Sequence, residues 1–135
     1  SNLMSLIRDT NLVKTKALPA AAATNYSDPL DLLDSAPGIK MRNAQIEVAL
    51  PATPSLVDAK TVTLTLQDSA DNSSFTDIPT LGSIVVTGAS GAGAAAVTRL
   101  FKLPETIRRY VRLKQAVLTA GGDNTAISTT TAYVR

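Results

Sequence analysis

The chain has 135 residues, with 13 Lys and Arg against 11 Asp and Glu, and neither histidine nor cysteine. That length suits one domain able to bury roughly two thirds of its unfolded surface. Without Cys there is no disulfide framework, thiolate metal site or thiol nucleophile, and without His there is no Ser-His-Asp triad or HExxH zinc site.

The apolar content comes from Ala, Leu, Val and Ile, threonine is abundant, and Glu47 and Glu105 are the two glutamates. Thr and Val favour strands, whereas a helical protein of this size leans on Glu, Lys and Leu. β structure is therefore expected. No apolar run approaches a membrane span, and "SNLMSLIRD" lacks the charged start and long apolar core of a secretory signal. A soluble chain is expected.

Residues 1–25 read as an irregular N-terminal arm and 26–135 as the folded domain. "LMSLIRDTNLV" suits an amphipathic turn or a short strand near Asn11 to Thr15, and "KALPAAAAT" is low in complexity and broken by Pro19. An arm of this kind cannot bury its own apolar surface. Leu3, Leu6, Ile7 and Leu12 are the expected partner contacts; packing along the chain's own sandwich is the equally weighted alternative. "SDPLDLLDSAPG" carries turn signals at both ends. Asp28, Asp31 and Asp34 come close together if this stretch is helical, but capping and solvated turn roles outweigh a calcium site.

Alternation then becomes clear. In "AQIEVAL", Ile46, Val48 and Leu50 share one face; in "TVTLTLQ", Val62, Leu64 and Leu66 oppose Thr61, Thr63 and Thr65. Period two with polar partners predicts strands with one buried face. "PATPSLVDAK" between them is a loop, and "DSADNSSFTD" is a polar turn with Phe75 as its apolar anchor. "SIVVT", "VTRLFKL", "RYVRLKQAVL" and "ISTTTAYV" complete about seven short strands separated by Pro, Gly, Asn and Asp clusters. This spacing predicts an all-β sandwich or barrel. Val62, Leu64, Leu66, Val111 and Leu113 are expected in its core.

"IVVTGASGAGAAAVTRLF" imitates a nucleotide-binding start, since Gly91-x-Gly93-x-x-Ala96 fits a loose GxGxxG/A pattern. That pattern works only in a β-α-β unit, where glycines let helix N-terminal amides approach a pyrophosphate. Here the would-be helix stops at Pro104, no second unit follows, and no acid stands where a ribose needs one. A P-loop fails because Ala94 replaces its lysine, and a GxSxG elbow fails because Ala92 replaces its second glycine. "YVRLK" imitates the Tyr-x-x-x-Lys pair of short-chain dehydrogenases but follows the glycines too soon. In a strand, Tyr110, Arg112 and Lys114 share one face and Val111 and Leu113 the other. The glycine-rich segment is predicted to be a loop between strands.

Arg99, Lys102, Arg108, Arg109, Arg112 and Lys114 crowd a window whose one acid is Glu105. A solvated strand face is the commoner meaning of such charge, and aromatics interleaved for base stacking are lacking. Neither nucleic acid nor membrane is an expected partner, and no catalytic residues, metal or cofactor are expected.

With the strands placed, "RDTNLV", "AAAATNYSDPLDL", "VTLTLQDSADNSSFTDI", "RRYVRL" and "LTAG" resemble the capsid cement, or decoration, proteins of tailed bacteriophages. The resemblance spans most of the chain through short, strand-like motifs. It implies a jelly-roll-like β-sandwich on the exterior of the virion capsid, assembled in the host cytoplasm and bridging major capsid protein subunits. It further implies a homo-oligomer, a trimer ahead of a dimer, with no enzymatic activity. Arg99, Lys102, Arg108, Arg109 and Arg112 are then the expected capsid contacts beside the arm. The competing expectation is a carbohydrate-binding or adhesin-type β-sandwich module, against which stand few and scattered aromatics.

Overall fold

The computed structural model describes residues 12–32 and 45–134. Among the described residues, ten strands run in chain order: β1 (Val13–Ala17), β2 (Thr24–Tyr26), β3 (Leu30–Asp31), β4 (Gln45–Leu50), β5 (Thr61–Ser69), β6 (Thr76–Asp77), β7 (Ser83–Thr87), β8 (Val97–Lys102), β9 (Tyr110–Val117) and β10 (Ser128–Val134). They form two antiparallel sheets, one ordered β1-β10-β4-β8 and one ordered β2-β9-β5-β6, with β3 also on β9 and β7 also on β5. From β7 onward every connection crosses to the opposite sheet, giving the jelly-roll-like β-sandwich expected from the alternation.

The core lies between the sheets. Ile46, Val48 and Leu50 of β4 meet Val62, Leu64 and Leu66 of β5 and Val111, Leu113 and Val117 of β9 in one buried cluster. Each such side chain is worth about 1.5–3 kcal/mol of burial before ordering costs. All five residues expected in the core are there.

Residues assigned to the arm supply part of the sandwich. β1 pairs with β10, placing Val13 opposite Ala132 and Ala17 opposite Ser128, while β2 pairs with β9. β1 gave a weak signal because it is an edge strand whose Lys14, Thr15 and Lys16 stay partly or fully exposed, so polar residues stand on both of its faces. β2 and β3 went unpredicted; at three and two residues, on either side of Pro29, they are too short to display a period.

The glycine-rich segment is the β7–β8 connection, as expected, and Gly88 and Gly93 serve close backbone packing. Thr53 and Ala94 exchange backbone hydrogen bonds at 2.9 and 3.1 Å, and the Gly91 N–H donates to Asp58 Oδ1 at 2.9 Å. Gly93 has a φ of 70°, and a Cβ there would lie 1.9 Å from the Thr53 carbonyl oxygen. Only glycine fits this approach.

Candidate interaction surface

The period of β9 decides where the basic window goes. Val111, Leu113, Gln115 and Val117 point into the sandwich, and Tyr110, Arg112, Lys114 and Ala116 point out, as the sequence predicts. Register then brings outward neighbours together: Lys114 lies opposite Tyr26 on β2 and Thr65 on β5, while Gln67 lies opposite both Arg112 and Asp77.

These side chains form a continuous polar ladder. Arg112 Nε donates to Gln67 Oε1 at 2.8 Å, Gln67 Nε2 donates to Asp77 Oδ1 at 2.9 Å, and Lys114 Nζ donates to the same oxygen at 3.0 Å. The Gln67 amide and then the Lys114 ammonium hold the Asp77 carboxyl below the usual carboxylate range. The Arg112 guanidinium carbon sits 3.9 Å from the centroid of the Tyr26 ring and 4.0 Å from that of Phe75. Two aromatic faces thus fix one cation.

Phe75 is presented by a tightly bonded turn. Asp71 Oδ1 accepts from the backbone N–H groups of Ser73 and Ser74 at 2.9 Å each and from the Ser69 hydroxyl at 2.9 Å. The Ser74 amide, then the Ser69 hydroxyl, then the Ser73 amide lower the Asp71 carboxyl to about 2. The anchor role expected for Phe75 is played, but against Arg112 at the surface.

Three of the other expected contact residues, Arg108, Arg109 and Arg99, are tied within the fold. Arg108 donates through Nε and Nη2 to Asp68 Oδ1 at 3.1 and 2.7 Å, while its backbone N–H reaches Oδ2 at 3.1 Å. Those bonds raise its pKa further above the ordinary arginine value. Arg109 makes a bidentate pair with Asp31, both N–O distances being 2.8 Å. Asp31, weighed as a calcium ligand, thus has a structural cation beside it; Asp34 lies outside the described residues. Arg99 stacks on Phe101 and donates through Nη1 to the Ser83 carbonyl at 3.2 Å, joining β8 of one sheet to β7 of the other. Lys102 is exposed at the end of β8.

Leu12, expected at a partner contact, is 2% exposed and belongs to the core, so that expectation is corrected. It directly precedes β1 and packs where the strand enters the sheet. Leu3, Leu6 and Ile7 lie outside the described residues. Sequence reading missed Asp31, Asp68, Asp77 and Gln67 as fixers of the basic window. They stand 37 to 78 residues from their basic partners, and only strand register reveals them.

A shallow depression of about 220 Å³ opens further along the same outward face, lined by Ala22, Thr24, Thr63, Ala116, Leu118 and neighbours. Its lining carries no ionisable side chain, and among the described residues no group of three or more acids could hold a metal ion.

Among solved structures, the chain is similar to the PBSX exported protein XepA, at 16% identity and a TM-score of 0.55, over 89% of this chain and 34% of that one. The chain thus spans about a third of the length of XepA, and the likeness is one of fold. Looser likenesses are a Bacillus endospore appendage protein, at 14% identity and a TM-score of 0.45 over 90% of this chain and 83% of that one, and the Tobacco streak virus coat protein, at 12% and 0.40 over 92% and 85%. No curated protein matches. The profile of the Bbp16 family matches residues 12–132, from the first core leucine into the last strand. Over that span, which is nearly the whole sandwich, the chain belongs to the Bbp16 family.

Proposed function

We propose that this chain is a structural virion protein: a capsid cement protein of a tailed bacteriophage that sits outside the head and bridges major capsid subunits. The observation that carries the reading is the outward face of β9, where Arg112 and Lys114 are held in place by Gln67, Asp77 and two aromatic rings. Fixed charges on the outward face of a sheet suit docking to another protein surface, because little side-chain freedom is left to lose on binding. The sequence resemblance to cement proteins supports the same reading, and a homo-oligomer, a trimer ahead of a dimer, goes with it.

Leu3, Leu6 and Ile7 are apolar residues in the sequence that precedes the sandwich. The contact is assigned to them and to the exposed basic residues, with Leu12 removed. The adhesin alternative is weaker because one face of Tyr26 and one of Phe75 are covered by Arg112, which takes those faces from a sugar ring.

The test is whether a major capsid gene adjoins the gene of this chain, and whether heads assembled from its product without this protein bind the chain. Saturable binding, with density for the chain across subunit boundaries in electron cryo-microscopy, supports the reading. Heads that bind no chain, or selective binding on a glycan array, overturn it. Sedimentation equilibrium decides the trimer, and a monomer across the micromolar range refutes it.

A further inference from the structure

The segment 108–114 carries four bases, and three have a carboxylate partner: Arg108 has Asp68, Arg109 has Asp31 and Lys114 has Asp77. Arg112 differs. Its Nε is engaged by Gln67 and its guanidinium plane by Tyr26 and Phe75, while its two Nη groups donate to none of the described residues. It is therefore a planar donor fork, held on three sides, to which no carboxylate of the described residues is bonded.

We infer that the Tyr26–Arg112–Phe75 stack is a docking site for one carboxylate side chain, an aspartate or glutamate on the surface of a partner protein. A guanidinium matches a carboxylate through two parallel N–H···O bonds, and aromatic residues with arginine are the side chains that dominate protein interfaces. The rings keep the fork from collapsing onto the sheet and shield it from water, strengthening a bond made there.

Charge selects a carboxylate over a polyanion. Around the stack, Arg108, Arg109, Arg112 and Lys114 face Asp31, Asp68, Asp77 and Asp71, four bases against four acids. A nucleic acid needs a surface of net positive charge to neutralise several phosphates, which this balance denies. One carboxylate needs only the donor fork of Arg112 and does not approach the aspartates as a polyanion must. That the carboxylate belongs to a capsid subunit rests on the proposed function; the site itself does not.

Two measurements separate these claims. Acetylated, amidated Gly-Glu-Gly, which carries one carboxylate, is titrated into the protein while arginine side-chain NMR signals are followed. The Arg112 signals are expected to shift saturably and more than those of Arg99, with Tyr26 and Phe75 ring shifts alongside. Arg112→Gln is expected to abolish the ring shifts, and Arg112→Lys to leave them absent, because lysine keeps the charge but loses the fork. Equal shifts at Arg99 and Arg112, undiminished ring shifts in Arg112→Gln, or a preference for an octathymidylate overturn the site. Circular dichroism on both variants verifies the fold, and Tyr26→Leu, which keeps the arginine, is expected to weaken the peptide response without removing it.

Binding to undecorated heads then tests the partner. Arg112→Gln is expected to weaken binding about tenfold, chiefly through faster dissociation. Peptide binding at Arg112 combined with wild-type affinity of Arg112→Gln for heads overturns the capsid as its partner. Heads that bind no wild-type chain overturn the cement reading, and the peptide result alone then decides the site.

Discussion

Gln115 and Thr129 join the two sheets through the interior: the Thr129 hydroxyl on β10 donates to Gln115 Oε1 on β9. Gln115 is 0% exposed, and its Nε2 donates to the Ala17 carbonyl at 3.1 Å and to Asn25 Oδ1 at 2.8 Å. One amide therefore fastens β1, β2, β9 and β10. Gln115→Leu leaves the buried Thr129 hydroxyl only its 3.4 Å contact with the Lys16 carbonyl, and a buried polar group without a good bond costs about 1–3 kcal/mol. A fall of at least that size in urea unfolding free energy is expected. The double variant Gln115→Leu with Thr129→Val should recover part of it, because it removes a stranded hydroxyl.

Core and surface leucines should separate cleanly. Leu64 is fully buried between the sheets, so Leu64→Ala should lower stability by about 2–5 kcal/mol. Leu100, 51% exposed on the edge strand β8, should stay within about 0.5 kcal/mol of wild type when replaced by Ala. Denaturant midpoints measured side by side check both; equal losses would contradict the β8 orientation.

Two glycines of the β7–β8 loop have nearly the same φ, 68° at Gly91 and 70° at Gly93, but different surroundings. A Cβ at Gly91 meets nothing within 4 Å, so Gly91→Ala should cost about 1–2 kcal/mol, the penalty of a left-handed non-glycine residue. Gly93→Ala adds a collision with the Thr53 carbonyl and should cost clearly more, with faster amide exchange at Thr53 and Ala94. Thermal unfolding and hydrogen exchange on the pair check this.

Acid sensitivity follows from the turn before Phe75. The folded Asp71 pKa, about 2, lies below its ordinary 3.8. A depressed carboxyl contributes stability fully above its unfolded pKa and loses it as pH falls through the folded one. The loss therefore runs from just above pH 4 down to about pH 2, and Asp77 and Asp123, lowered by their own partners, act in the same direction. Carbon NMR of Asp71 should give a midpoint near 2. With no histidine or cysteine side chain, stability should be flat between about pH 5 and 8.

Arg108 bears on any charge-reversal experiment at the surface. Its guanidinium serves Asp68, whose side chain is 10% exposed, and Thr76. Arg108→Glu should therefore lower the unfolding midpoint, because it takes the cation from Asp68 and sets a like charge beside it. Lys102→Glu, at an exposed position, should leave stability unchanged. Unfolding curves of the two variants distinguish a structural arginine from a free surface cation.

The sequence by itself determined the class of fold and most strands. Period two in Ile46 to Leu50, Val62 to Leu66 and Tyr110 to Val117 identifies the inward side chains, because neighbours on a strand must point to opposite faces. It also excluded the nucleotide reading of Gly88 to Gly93, since a local motif needs a helix that Pro104 forbids. It did not reveal β2 and β3, which lie against β9 through pairing with residues some 80 to 90 positions away. Nor did it show that Leu12 is core, or that Arg108, Arg109 and Lys114 have aspartate partners while Arg112 has two aromatic rings. Those facts depend on which strands are neighbours and in what register. Register is set by packing of the whole sandwich, so only the tertiary structure turned a run of basic residues into three ion pairs and one guanidinium stacked on two rings.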